Sequence, residues 1–230
     1  MIGAKENGKV FSQDDIMKML DSCYRKVLDG IPKVSPSIEQ MANDYLEKNP
    51  SVPKAAEKMI TNQVIKCTTS GALTGFGGLI TLPVSVPANV SSVLYVQMRM
   101  IACTAYMGGY DLRSDQVQTL VYACLAGVTV NQFIKKTGVR VGEKVVRGMI
   151  QKIPGQVLTK INQKVGFRLI TKFGEKGVIN LGQLIPGVGA VIGGGLDLVE
   201  TKSIGKRSYR WFIEGNFEES AEEKLVEEQN

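Results

Sequence analysis

Apolar positions recur at helical spacing near the start of the chain and predict a first amphipathic helix. Ser12 is expected to cap this helix, with Asp14 and Asp15 in the first turn, because carboxylates interact favourably with the positive end of a helix dipole. The predicted apolar face consists of Ile16, Met17, Leu20, Cys23, Tyr24, Val27 and Leu28. Gly30 and Pro32 are expected to end the helix.

Two further amphipathic helices are predicted before the composition changes. The Ser35-Pro36 pair indicates the start of the second helix, since proline is favoured at the first helical position. That helix is expected to reach about Lys48, and a third to begin near Val52 and continue through Lys66.

Three long runs without charge follow these helices. They cover Cys67–Met98, Gln116–Ile134 and Gly177–Leu196. None of them alternates apolar and polar residues with a period of two, so no sheet is expected. The pattern therefore predicts an all-α helical bundle whose central hydrophobic helices are interrupted by glycine and proline.

No uncharged run has the form of a simple membrane-spanning helix. Such a helix needs ~20 mostly apolar residues without a break. Four Gly and two Pro interrupt Cys67–Met98, seven Gly interrupt Gly177–Leu196, and Gln97 and Arg99 lie within 88–107. Three interpretations stay open at this point: core helices of a soluble protein, re-entrant hairpins in a bilayer, or conversion between the two.

Glycines at four-residue spacing indicate close helix packing. Gly71 with Gly75, and Gly189 with Gly193, would each line one face of a helix and let another backbone approach. The same spacing serves helix crossings in a soluble core, helix association in lipid, or association of two copies of the chain. No phosphate-binding or dinucleotide-binding glycine motif is present.

The composition argues against most enzyme classes. The chain has no His, and its four Cys show no CxxC spacing, so no metal site, cofactor site or catalytic residue is predicted. A hydrolase would have to use carboxylates, and the alternative that we retain places them at Asp111, Glu175, Asp197 and Glu200. Convergence of these four carboxylates in one pocket would favour an enzyme.

Charge is distributed unevenly along the chain. The formal net charge of +6 combines −6 over residues 214–230 with +12 over the remainder. We therefore expect three parts: N-terminal amphipathic helices packed on the core (1–63), the helical core (64–213) and a flexible acidic tail (214–230).

One predicted helix carries a cationic stripe. Lys160, Lys164, Arg168, Lys172 and Lys176 recur at every fourth residue, and each step of four overshoots a full turn by ~40°. Such a stripe is typical of a solvated helix face, and it is also typical of a surface that contacts anionic lipid. Without interleaved aromatic residues, nucleic acid is not the partner that we expect.

Two charged residues lie in apolar or glycine-rich surroundings. Arg99 and Asp197 are each expected to have a polar partner, because an isolated buried charge is costly. They are predicted either to pair with each other or to bind nearby polar groups separately.

Several ordered segments resemble the EcsC family. They include Gly77–Pro83, Arg99–Ala102, Ala105–Leu112, Asn162–Leu169, Thr171–Gly177 and Ile185-Pro186, ending at Asp197. The resemblance extends from about Val64 to Phe212 and implies a bacterial, mostly helical protein associated with an operon that encodes an ABC transporter. The family has no established catalytic residues to transfer.

The sequence and the resemblance together favour a non-enzymatic protein at a membrane. We expect it on the cytoplasmic side, peripheral to or partly inserted in the inner face of the cell membrane, because the N-terminus shows no signal peptide. The expected partner is anionic lipid or a membrane protein complex. The alternative within this class is an effector that inserts its hydrophobic hairpins and perturbs the bilayer.

Overall fold

The computed structural model of the chain describes residues 4–6, 9–68, 88–135, 147–173 and 189–218. Helices dominate these residues, so the all-α prediction is confirmed. They are α1 (Gln13–Asp29), α2 (Ile38–Glu47), α3 (Val52–Thr68), α4 (Ala88–Met107), α5 (Asp115–Ala126), α6 (Asn131–Lys135), α7 (Arg147–Ile150), α8 (Gly155–Phe173) and α9 (Gly189–Phe212).

A short antiparallel hairpin precedes the helices, and the sequence did not predict it. Strands β1 (Ala4–Glu6) and β2 (Lys9–Phe11) pair with Lys5 opposite Val10, and β1 lies against α8. Three residues are too few to display a period-two pattern. The expectation of no sheet was therefore wrong at this one place.

Hydrogen bonds at the helix starts confirm the predicted cap of the first helix and place the start of the second helix later than predicted. Ser12 caps α1, and its Oγ accepts the backbone N–H of Asp15 at 3.1 Å. The second helix begins at Ile38 with Ser37 as N-cap, not at Pro36. Ser37 and Gln40 form a reciprocal capping box, with both hydrogen bonds at 3.2 Å. This box satisfies two amide groups at the helix start and therefore sets the boundary.

Helix α4 is the centre of the bundle. It packs against α1, α2, α3, α5 and α9, while α8 packs against α1 and α5. Its residues 94–105 are buried throughout. The boundary predicted between residues 63 and 64 falls inside the continuous helix α3, whose buried residues belong to the same apolar core as those of α1 and α2.

Side-chain contacts fix the direction of α9 relative to its neighbours. Gln97 of α4 donates a buried hydrogen bond of 3.0 Å to the Thr201 hydroxyl of α9. Gly205, one turn further along α9, faces both Met100 of α4 and Ile60 of α3. A Cβ at Gly205 would lie 2.7 Å from Ile60 Cγ2, so only glycine allows this approach. Helix α9 is parallel to α4, since both contacts advance together, and antiparallel to α3, because Tyr209 lies within electrostatic range of Glu57 and Lys54, which precede Ile60.

No helix in the described part of the chain combines the length and the hydropathy needed to cross a membrane. Helix α4 has 20 residues, but its buried side chains include Gln97 and Arg99. The first and third uncharged runs contribute only part of their length to the described residues, because residues 69–87 and 174–188 lie outside them, whereas the second run is described throughout.

All four cysteines are buried free thiols. Burial raises the pKa of the Cys23 and Cys103 thiols from 9.0 to about 12, because a thiolate loses its hydration inside an apolar core. These thiols stay protonated at neutral pH and lack the thiolate needed for reactivity.

We predict that the native thiols are protected and that the protein is destabilised by alkali. Between about pH 9 and 12 the folded state retains protons on Cys23 and Cys103 that the unfolded chain has lost, so the free energy of unfolding falls as the pH rises through this window. Urea unfolding at pH 8 and at pH 10 measures the fall. Thiol titration with an aromatic disulfide should proceed at least ~100-fold faster in denaturant, and equal native and denatured rates would contradict the prediction.

Candidate functional site

Helix α8 has one buried face and one exposed face. The buried face is formed by Leu158, Ile161, Val165, Leu169 and Ile170, which pack toward α1 and α5. The opposite face, called the α8 surface below, consists of the exposed residues Lys160, Gln163, Lys164, Phe167 and Thr171. Their spacing places them on a single arc of the helix.

The lysines of the α8 surface differ from those of the N-terminal helices. Lys160 and Lys164 form no ion pair with any residue that the structure describes, and the sequence of α8 contains no Asp or Glu. On α1, α2 and α3, by contrast, lysines pair with carboxylates three or four residues away, at 2.6 Å in Lys18–Asp14, 3.7 Å in Lys48–Asp44 and 2.9 Å in Lys54–Glu57. The charge of the α8 surface therefore stays available to an external anion.

Phe167 is an exposed aromatic residue on this same cationic arc. Its side chain is 48% exposed, and it lies one turn beyond Lys164 and two turns beyond Lys160. Only the basic residues and the apolar core face were predicted from the sequence, so Phe167 was missed, and the expectation that no aromatic residue interrupts the stripe was wrong at this position. Its position seven residues after Lys160 is the signal that could have identified it.

Arg168 belongs to the predicted stripe in sequence but turns away from it in space. Its guanidinium and that of Arg207 both approach Gly127, which follows the last residue of α5. Arg207 Nη1 donates a 2.9 Å hydrogen bond to the Cys124 carbonyl oxygen. Cations are favourable at this negative end of a helix. Arg168 is therefore half-buried beside the end of α5, whereas Lys160 and Lys164 of the same predicted stripe are exposed.

The other two residues of the predicted stripe are Lys172 and Lys176. The backbone of Lys172 belongs to α8, but its side chain lies outside the described part, as does all of Lys176.

Arg99 is buried and binds polar groups from the α1–α2 connection. Its side chain is 4% exposed. Nη1 donates to the carbonyl oxygens of Pro36 at 2.8 Å and Val27 at 3.5 Å and to the Tyr95 hydroxyl at 3.4 Å, and Nη2 contacts Met41 Sδ at 3.1 Å. The sequence left open whether Arg99 pairs with Asp197 or binds nearby polar groups. The described contacts of Arg99 are of the second kind.

Tyr95 connects Arg99 to the same segment. The guanidinium carbon lies 5.6 Å from the centroid of the Tyr95 ring, within cation–π range. The Tyr95 hydroxyl lies 2.7 Å from Ser35 Oγ. The connection held in this way borders an open depression of about 500 Å³, whose ionisable lining residues are Asp29 and Lys33.

The sequence model of the EcsC protein family matches residues 10–212 of the 230-residue chain. The chain belongs to the EcsC family. Comparison with curated proteins and with solved structures found no match. The family match starts upstream of the resemblance seen from Val64 onward, so it includes α1, α2 and most of the preceding strand β2.

Charged residues that carry the EcsC resemblance serve packing where the structure describes them. Arg99 binds the α1–α2 connection, and Arg168 lies at the end of α5. Asp197 has its backbone in α9 and its side chain outside the described residues, and Glu175 lies wholly outside them. Of the two described members of this set, Arg99 is buried and Arg168 is half-buried between helices.

The carboxylates that a hydrolase would use do not all lie at the same height along the helix bundle. Asp111 follows the end of α4, whereas Glu200 adjoins Thr201, which bonds to Gln97 near the middle of α4. The end of α4 is ten residues beyond Gln97, which separates the two by ~15 Å along the axis. Among the described residues, no group of three or more Cys, Asp or Glu is arranged to hold a metal ion.

The glycines at four-residue spacing in this EcsC-family chain, Gly189 and Gly193, begin α9, and their contacts lie outside the described residues. Further along the same helix, Gly205 faces α3 and α4 of the same chain. Close packing is therefore intramolecular at this position. Gly71 and Gly75 lie outside the described residues.

Proposed function

We propose that this EcsC-family protein binds anionic membranes at their surface through α8, without catalysis. The observation that supports this function is the exposed Phe167 beside two lysines that have no ion pair within the described structure, on a helix without acidic residues. The proposed location is the inner face of the cell membrane.

The physical argument combines electrostatic attraction with aromatic insertion. A Lys near an anionic bilayer contributes ~1 kcal/mol of attraction. An aromatic side chain adds to this by moving its ring from water into the headgroup region. The paired lysines of α1–α3 form part of neutral pairs and are expected to contribute less.

We predict that the protein floats with phosphatidylglycerol-containing vesicles and not with pure phosphatidylcholine vesicles. Lys160→Glu combined with Lys164→Glu should weaken flotation at least ~10-fold, because it replaces attraction by repulsion at two positions. Added salt should weaken binding of the unaltered protein, since screening reduces attraction between exposed charges. Phe167→Ser should weaken it several-fold without changing the net charge.

Matched variants separate a local surface from bulk charge. Lys18→Glu combined with Lys48→Glu makes the same charge change at exposed positions of the α1–α2 region and should float nearly as well as the unaltered protein. Val52→Ser, which removes another exposed apolar residue, is the control for Phe167→Ser. Equal losses in the control and α8 variants would overturn the assignment to α8.

Release of a trapped dye distinguishes surface binding from the alternative effector function. Surface binding predicts that vesicles to which the protein is bound retain their dye. Rapid dye release at low protein occupancy would instead favour an effector that perturbs the bilayer.

A further inference from the structure

A second exposed surface combines apolar residues with lysines on the far side of α4. Val199 of α9 is 68% exposed and Ile65 of α3 is 53% exposed. We define the α3/α9 surface by its exposed residues, which are Lys58, Thr61, Ile65, Val199, Lys202 and Lys206.

The register of α3 and α9 places these residues side by side. The helices are antiparallel. Ile60 lies against Gly205, and Tyr209, which follows Gly205 on α9, lies within electrostatic range of Glu57 and Lys54, which precede Ile60 on α3. Ile65 lies five residues after Ile60 on α3, and Val199 lies six residues before Gly205 on α9. Because the helices are antiparallel, the positions of Ile65 and Val199 along the helix axes differ by only ~1.5 Å. The two apolar side chains therefore belong to one patch.

The exposed charges around this patch are positive. Lys58, Lys202 and Lys206 are exposed along the two helices, whereas the exposed carboxylate of Glu57 pairs with Lys54 at the far end of α3. A second copy of the chain, docked across a two-fold axis, would bring Lys202 and Lys206 close to their own symmetry mates. Like charges at close range disfavour that docking. An anionic, partly apolar partner fits both the charge and the exposed Ile65 and Val199, and a bilayer surface has both properties.

The two surfaces lie on different sides of the bundle. Helix α3 packs on α9, α4 and α2, whereas α8 packs on α1, α5 and α6, and α5 lies between α4 and α8. We infer that the α3/α9 surface is a second site for anionic lipid and that one molecule can join two membrane surfaces. The joining activity rests on the proposed function of α8, since α8 supplies the other contact.

Clustering of vesicles tests this inference. The unaltered protein should raise the light scattering of phosphatidylglycerol-containing vesicles and leave pure phosphatidylcholine vesicles dispersed. Ile65→Ser combined with Val199→Ser should slow clustering at least ~10-fold while flotation changes less than ~3-fold, because α8 still binds one vesicle. Lys202→Glu combined with Lys206→Glu should act in the same way.

The outcomes separate the two surfaces. Loss of clustering with flotation retained supports the second site. A protein that floats but never clusters vesicles, or an α3/α9 variant that clusters them as well as the unaltered protein, overturns the second site and leaves α8 intact. An α8 variant that floats normally while the α3/α9 variant does not would instead overturn the function proposed for α8.

Sedimentation in the absence of vesicles excludes a dimer as the cause of clustering. The unaltered protein is expected to be a monomer. A dimer that Ile65→Ser with Val199→Ser dissociates would overturn the second lipid site, because that patch would then bind another copy of the chain.

Discussion

Arg99→Met is expected to lower the free energy of unfolding by roughly 3–5 kcal/mol. Methionine retains much of the side-chain volume, so the loss measures the charge and its hydrogen bonds more than a cavity. The buried Val27 carbonyl oxygen and Tyr95 hydroxyl and the partly buried Pro36 carbonyl oxygen would all lose a cationic donor. These acceptors include backbone atoms that no compensating substitution can remove, and an unsatisfied buried acceptor is costly.

Urea unfolding followed by circular dichroism measures this effect. Arg113→Met is the matched control, because Arg113 is exposed, and it should change the free energy of unfolding by less than ~0.5 kcal/mol. A loss below ~1 kcal/mol for Arg99→Met would contradict the prediction. It would mean that water replaces the guanidinium at the carbonyl groups.

A double-mutant cycle tests the alternative pairing of Arg99 with Asp197. Because Arg99 binds the α1–α2 connection, the losses caused by Arg99→Ala and Asp197→Ala are expected to add within ~0.5 kcal/mol. A larger coupling energy would show that the two side chains interact.

Phe217→Ala is expected to destabilise the protein by roughly 3–4 kcal/mol. Phe217 is 1% exposed, and its ring centroid lies 5.3 Å from that of Trp211 and 6.3 Å from that of Phe212. Truncation to alanine removes this ring from an aromatic cluster that also includes Tyr110. The loss combines the transfer free energy of the ring with the cost of the cavity that it leaves.

Trp211 reports on this change directly. It is the only tryptophan of the chain and is 3% exposed, so Phe217→Ala should shift its emission to the red as water gains access. Phe167→Ala is the matched control, since the half-exposed ring of Phe167 should contribute little to stability while affecting vesicle binding. Equal stability of the two variants would contradict the packing described for Phe217.

Phe217 also shows where sequence reasoning reaches its limit. Acidic composition predicts a flexible tail over residues 214–230, and Phe217 within this segment is buried against the core. Composition averages over a segment, whereas a single aromatic residue can anchor it to the core. A phenylalanine among carboxylates five residues after the end of a helix was the available signal.

Local patterns predicted the elements well because their causes are local. The cap at Ser12 and the apolar face of α1 depend on neighbours within one or two turns, and both are confirmed. The direction of Arg168 depends on Gly127 and Arg207, which lie on other elements. No periodicity within α8 contains that information. The sequence therefore predicted five equivalent basic residues, although Arg168 is half-buried where Lys160 and Lys164 are exposed.

The partner of Arg99 was difficult to predict for the same reason. The sequence left two alternatives open, pairing with Asp197 or binding of nearby polar groups, because a bundle can satisfy a guanidinium with the carbonyl groups of an irregular connection. Such acceptors have no signature in the sequence, because every residue supplies one.

The packing of α9 on both α3 and α4 has a consequence for biosynthesis. Ile60 and Met100 meet at Gly205, so these early helices acquire their shared neighbour only after most of the chain has left the ribosome. Contacts between residues so distant in sequence slow folding, and the apolar flanks of α3 and α4 stay uncovered during translation. Nascent chains halted before α9 should therefore be good clients for chaperones that bind exposed apolar segments, whereas chains extended beyond Phe217 should be released.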